Sequence, residues 1–358
     1  MLRSSSQPLF RAYDLAMLDL DGVVYVGGQA VPGAPDHLAE ARREGLRIAF
    51  ITNNASRAPA TVAAHLEELG VEASADDVVT SAQAAARLLA DRLGDDAVVA
   101  CLGTDGLLQA LRAVGLRPVA VDDDAADEAA AIVTGYAPDV RWSQVMRAAV
   151  RIRDGLAWVA SNTDLTFPAA YGVAPGHGVQ VEMLRRFSGV DPVVAGKPAR
   201  PLLDETARRV GGSHPLMVGD RLDTDIEGAH NAEVDSLLVL TGVTGLDDLV
   251  GAAPELRPTY LAADLAGLFE QHRAPERSEA ADGSARWTSG CWSAAVRDGR
   301  LEAQPCAQDG PDGPSSAGGA ADGDRDGDWW RAVASAAWEH LDMAGEPADA
   351  SGLVGPAR

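Results

Sequence analysis

The chain has 358 residues, 46% of them hydrophobic and 23% charged, with 53 acidic against 30 basic side chains and a formal charge of −23. These proportions exclude disorder over the whole length, and so acidic a surface excludes a broad basic face for a phosphate backbone, so no nucleic-acid partner is expected. No apolar run reaches membrane-spanning length, the start MLRSSSQPLFRAYD lacks a signal peptide's apolar stretch, and Cys101, Cys291 and Cys306 form no Cys-x-x-Cys pair, so a cytoplasmic protein without a membrane partner is expected.

Short apolar runs alternate with amphipathic stretches, the pattern of an α/β protein with a parallel sheet. Strands are expected at residues 15–20 and 46–51, and helices at 34–44 and 57–69. Pro59 falls in the first turn of its helix, where a missing N–H is harmless. From about residue 76 to 189 the alternation starts afresh, with strands expected at 98–102, 118–121, 131–134 and 157–160 and helices at 104–114 and 142–153. This stretch is too long for one crossover and reads as a second α/β domain inserted into the first. The first pattern resumes with strands at 193–195, 216–219 and 237–241 and helices at 201–210 and 224–232.

The expected division is a Rossmann-like core of residues 1–75 and 190–272, an α/β cap of residues 76–189, and a small C-terminal appendage of residues 273–358. In the appendage, residues 308–328 are rich in Gly, Asp, Pro and Ser and read as a flexible linker or exposed loop. Residues 329–343 follow as an amphipathic helix with Trp330, Val333, Ala334, Ala337, Trp338 and Leu341 on one face, which needs a partner surface.

Chemistry concentrates at the ends of four expected strands. The first ends in Asp19-Leu20-Asp21-Gly22, which alone could be a turn or a fragment of a calcium loop. The second ends in Thr52-Asn53-Asn54, which alone could be a turn with a helix cap. The third runs into Gly196-Lys197-Pro198. Lys197 is the only lysine of the chain, the other basic residues all being Arg, which points to a place where a compact ammonium is needed. The fourth ends in Gly219-Asp220-Arg221-Leu222-Asp223-Thr224-Asp225, whose acids could be partners of a helix dipole.

Taken together, the four ends are expected to meet in one crevice at the carboxyl edge of one sheet, where ligands bind in such folds. Converging carboxylates call for a hard divalent cation, Mg²⁺ among oxygen ligands. The lysine and the hydroxyl and amide groups suit a phosphate. The sum is a phosphoryl-transfer site with a carboxylate nucleophile.

In these four motifs the sequence resembles the haloacid dehalogenase superfamily, in the branch with an α/β cap that includes phosphoglycolate, pyridoxal-phosphate and 4-nitrophenyl-phosphate phosphatases. The stretches Val79-Thr80-Ser81-Ala82-Gln83, 219–228 and the tail Arg331-Ala332-Val333-Ala334-Ser335-Ala336 resemble actinobacterial members that act on D-glycerol 3-phosphate.

The resemblance implies a phosphatase for a small phosphorylated metabolite. Asp19 is then the nucleophile and Asp21 the acid and base. Thr52, Asn53, Asn54 and Lys197 hold the phosphate, and Thr52 and Lys197 share in catalysis. Mg²⁺ lies on Asp19, the main-chain carbonyl of Asp21 and Asp220, with Asp225 orienting these ligands. The cap acts as a lid, with residues 162–168 and 175–178 as candidates for selecting the leaving group. Competing expectations are a phosphatase for phosphoglycolate or for a broad set of esters, a phosphomutase, a dehalogenase, and a non-enzymatic phosphoreceiver. The last is disfavoured by Asp21 and by the long insertion.

Overall fold

The computed structural model describes residues 1–169, 171–279, 284–306 and 325–355. The chain divides into two compact units, one made of Met1–Val26, Ala30–Arg47 and His214–Arg358, the other of Gly27–Gln29 and Ile48–Ser213.

The first unit carries four parallel strands side by side, in the order Tyr260–Ala262, Asp235–Val239, Pro215–Gly219 and Leu15–Leu18. All four residues of Leu15–Leu18 are buried, as expected of a parallel strand covered on both faces. Helix Ala34–Arg43 opens with a proline in its first turn behind Gly33 at φ +79°, and it buries Ala34, Leu38 and Ala41.

The appendage holds more regular structure than the expected loop and helix. An antiparallel sheet of Glu276–Glu279, Ala285–Ser289, Trp292–Arg297 and Arg300–Pro305 precedes a helix over Arg325–Ala344. Most of the expected loop, residues 308–324, lies outside the described residues. The helix buries Trp329, Trp330, Val333 and Trp338 in one cluster with Trp287 and Leu301 of the antiparallel sheet and with Leu238 and Leu261 of the parallel strands. The expected partner surface is therefore the parallel sheet itself together with the added one.

The second unit pairs Arg47–Thr52 with Val78–Thr80 in parallel, Phe50 opposite Val78 and Thr52 opposite Thr80. It also holds a five-stranded parallel sheet in the order Val193–Val194, Ala157–Ala160, Ala131–Thr134, Val98–Leu102, Arg117–Ala120. Helices Trp142–Arg153 and His177–Ser188 pack together beside it. A separate antiparallel hairpin of Thr166–Ala169 and Gly172–Pro175 follows Ala157–Ala160 in the chain.

Two expectations are corrected here. Residues 193–195 do not supply a core strand: Val193 pairs with Val159 and Val194 with Ala160, so this short run is the edge of the inserted sheet. The four motif-bearing ends therefore do not lie along one sheet. Helix Ser81–Leu93 packs against both Asp105–Ala113 and Pro201–Val210. Those contacts draw residues 78–93 and 201–210 into the unit of the inserted sheet, and the units part near residues 47 and 213. Among the described residues no helix is long and apolar enough to cross a membrane.

Candidate active site

The first unit gathers acids at the carboxyl ends of its parallel strands. Asp19 follows Leu15–Leu18 and Asp220 follows Pro215–Gly219, and the two strands are paired in register. Oxygens of Asp19, Asp220 and Asp225 lie within 4.8 Å of one another, with Asp220 and Asp225 fully buried.

Glycines and main-chain amides hold this cluster in place. A Cβ on Gly22 would stand 2.3 Å from Asp220 Oδ2, and one on Gly242 only 2.0 Å from the same atom. Gly22 also sits at φ +86°, a conformation that favours glycine. Its carbonyl accepts from Thr241 Oγ1 at 2.5 Å. Asp220 Oδ2 accepts from the Val243 amide at 2.7 Å.

Asp225 comes into reach through a π-helical turn over Leu222–Ile226, a local widening common at functional sites. Its Oδ2 accepts from the amides of Asp220 and Arg221, each at 3.1 Å. Asp223 points elsewhere and pairs with Arg221 at 3.0 and 2.7 Å on the surface. Asp21 is exposed and adds no carboxylate to the cluster.

Three acid side chains so close, two of them without solvent, repel one another unless a cation or protons compensate. An all-oxygen donor set of this kind fits a hard divalent ion such as Mg²⁺.

In the second unit the remaining motif residues meet around Asn53. Thr52 ends its strand buried, and its Oγ1 accepts from the Asn54 amide at 3.1 Å. Asn54 is exposed and turns its Oδ1 to the amide and hydroxyl of Ser56, at 2.8 and 2.7 Å. Asn53 Nδ2 donates to the Lys197 carbonyl at 2.9 Å and to Asp164 Oδ1 at 3.0 Å. Its Oδ1 accepts from the Lys197 amide at 2.8 Å, and its carbonyl accepts from Ser81 Oγ at 2.5 Å and Asn162 Nδ2 at 2.7 Å.

The Asn53 side chain and the Asn54 Oδ1 are thus engaged with protein, so Asn53 does not hold its side-chain amide open as the expected cradle. Lys197 is 2% exposed.

The expectation overlooked Ser81 and the Gly242–Thr244 turn. Ser81 lay inside a legible capping pattern, Thr80-x-x-Gln83, whose two reciprocal bonds form. The Gly242 turn carried no side-chain signal, because it acts through close approach and an amide. Of the cap candidates, residues 162–164 join the Asn53 network. His177 is buried, with Nδ1 at 2.9 Å from the Asn162 carbonyl, and burial lowers its pKa to about 4. Asp122 is bound by Arg141 and Gln144 at 2.5 and 3.0 Å, and Asp123 caps the Ala125 amide, so this acidic run serves the loop.

Comparison with known proteins gives a consistent picture. Residues 16–117 match the model of the haloacid dehalogenase-like hydrolases, and residues 194–268 match the HAD-hydrolase-like model. The chain is 48% identical over 261 residues to a D-glycerol 3-phosphate phosphatase of Mycobacterium tuberculosis, covering 73% of this chain and 72% of that one. It is 34% identical over 262 residues to an acid sugar phosphatase of Staphylococcus saprophyticus, covering 72% and 98%. A crystal structure of a glycerol phosphate phosphatase from M. tuberculosis in complex with magnesium superposes with a TM-score of 0.79 at 40% identity, covering 94% of this chain and 93% of that one.

Proposed function

The chain belongs to the haloacid dehalogenase-like hydrolases, and from that premise we propose that it is a Mg²⁺-dependent phosphatase acting on a small phosphate monoester, D-glycerol 3-phosphate first of all. The observation that carries this reading is the cluster of Asp19 with Asp220 and Asp225 at the carboxyl ends of parallel strands.

Asp19 Oδ attacks phosphorus as the bond to the leaving alkoxide breaks, giving an aspartyl phosphate. Asp21, exposed and able to exchange protons with water, delivers a proton to the alkoxide oxygen. It then takes one from the water that hydrolyses the aspartyl phosphate. Thr52 Oγ1 and the main chain of Asn53 donate to the transferring oxygens, and the Lys197 ammonium neutralises them. Asp19, Asp220 and the carbonyl of Asp21 would hold Mg²⁺, with Asp225 fixing the Asp220 and Arg221 amides beside them, and the ion would supply positive charge to the meeting of two anions. Each contribution is worth on the order of 10²–10⁴ in rate, so a monoester needs them combined.

The test is free phosphate released from glycerol 3-phosphate, phosphoglycolate, pyridoxal phosphate and 4-nitrophenyl phosphate, each with Mg²⁺, with EDTA and with Asp19→Asn. We expect Mg²⁺-dependent release concentrated on glycerol 3-phosphate and none from Asp19→Asn. Release concentrated on another ester overturns the substrate and keeps the chemistry. No free phosphate from any ester overturns the phosphatase.

A further inference from the structure

We propose that Asp164 is a positioning residue, fixing the side-chain amide of Asn53 and through it the main chain of Lys197. The inference rests on the reading of Lys197 as the cation on the transferring oxygens.

The amide of Asn53 brackets the Lys197 peptide on both sides, accepting from its N–H at 2.8 Å and donating to its carbonyl at 2.9 Å. The second Nδ2 proton goes to Asp164 Oδ1 at 3.0 Å. A carboxylate only accepts, so it draws the NH₂ end of Asn53 towards itself and leaves Oδ1 turned to the Lys197 N–H.

Asp164 is itself tethered. Its amide donates to Asn162 Oδ1 at 3.2 Å, and Asn162 is held by its bond to the Asn53 carbonyl at 2.7 Å and by His177 Nδ1 at its own carbonyl at 2.9 Å. Gly196 permits the close approach, since a Cβ there would lie 2.6 Å from Asn53 Oδ1 and 2.7 Å from the Ser161 carbonyl. The loop after strand Ala157–Ala160 is therefore wired to the peptide of the only lysine, whose ammonium must be placed closely to act on a transition state.

That uniqueness supplies a readout independent of activity. Protein labelled with ¹⁵N-lysine shows a single lysine main-chain amide, that of Lys197. In Asp164→Ala we expect this amide to exchange with solvent about tenfold faster than in the wild type, the loss of roughly one hydrogen bond's worth of protection. Asp164→Asn, which keeps the acceptor, stays near wild type. With the ester that the wild type hydrolyses, Asp164→Ala lowers kcat by about tenfold with KM nearly unchanged, and Asp164→Asn restores it.

Unchanged exchange in folded Asp164→Ala, or equal damage from Asn and Ala, overturns the proposal. Should Asp164→Ala fail to fold, Asn162→Ala decides: faster exchange at Lys197 supports the relay and unchanged exchange overturns it. A wild type that hydrolyses nothing refutes the phosphatase reading while the exchange data still answer for the relay.

Discussion

Lys197 illustrates how little room a single buried residue has. The ammonium is almost fully buried, and a guanidinium is a larger, flat fork that suits different geometry. We expect Lys197→Arg to lower kcat by at least about a hundredfold, the scale of losing one donor to a developing anion, with melting temperature measured alongside to show that the fold persists. Two buried histidines make a second prediction at this scale. Burial drives both His177 and His272 down to about 4, with nearby Arg331 adding to the effect on His272. In the unfolded chain both titrate near 6.5, so as pH falls from about 6.5 to about 4 the unfolded state takes up protons first and the folded state loses stability. The loss reaches about 2–3 kcal/mol for each by pH 4.5. Urea unfolding at pH 7 and pH 4.5 should show a drop smaller by that amount in His177→Asn; an equal drop refutes it. At this scale the candidate residues were legible in the sequence, because Asp-x-Asp-Gly, the lone lysine and the Gly-Asp run are local patterns. The engagement of the Asn53 amide was not legible, since the partners it faces, Asp164 and Lys197, lie more than a hundred positions away.

Among the elements, the inserted strands at Val98–Leu102, Ala131–Thr134 and Ala157–Ala160 follow directly from their apolar runs, and helices Trp142–Arg153 and Pro201–Val210 from their amphipathic period. The run at Val193–Val194 was legible as a strand but not as to its sheet, because two valines fit either edge and pairing with Val159 and Ala160 decides. The antiparallel sheet of the C-terminal region was missed although one signal was present. Asp298 and Gly299, at φ +49° and +77°, make the two-residue turn that an Asp-Gly pair favours between strands. Helix Arg325–Ala344 is anchored by specific bonds as well as by area. Trp338 Nε1 donates to the Leu249 carbonyl at 2.7 Å, and Arg331 Nε donates to the carbonyl of Leu261 on the strand Tyr260–Ala262 at 2.8 Å. Trp338→Ala should therefore cost about 3–5 kcal/mol in urea unfolding, from a large cavity and an abandoned carbonyl. A cost below about 1 kcal/mol would show that the helix contributes little to the core.

For the whole molecule, the joint core of the C-terminal sheet, the last helix and the parallel strands means that the region after residue 272 is part of the fold of the first unit. Deleting residues 273–358 should expose Leu238, Leu261 and their neighbours and give a protein that aggregates on expression or melts well below the full chain; a truncated protein with unchanged melting temperature refutes this. Mg²⁺ should stabilise the full chain by mass action, by about 2.7 kcal/mol at a hundred times its dissociation constant, and EDTA or Asp220→Asn should abolish the shift in melting temperature. The α/β class was readable from hydrophobic period alone, and short motifs in neighbouring positions were enough to point to an insertion and to candidate catalytic residues. Where the compact units part, which sheet takes Val193–Val194, what covers the tryptophans and how the Asn53 side chain is engaged became visible in the folded chain. Each of those depends on packing and hydrogen bonds between segments far apart in the chain, whose pairing no local pattern encodes.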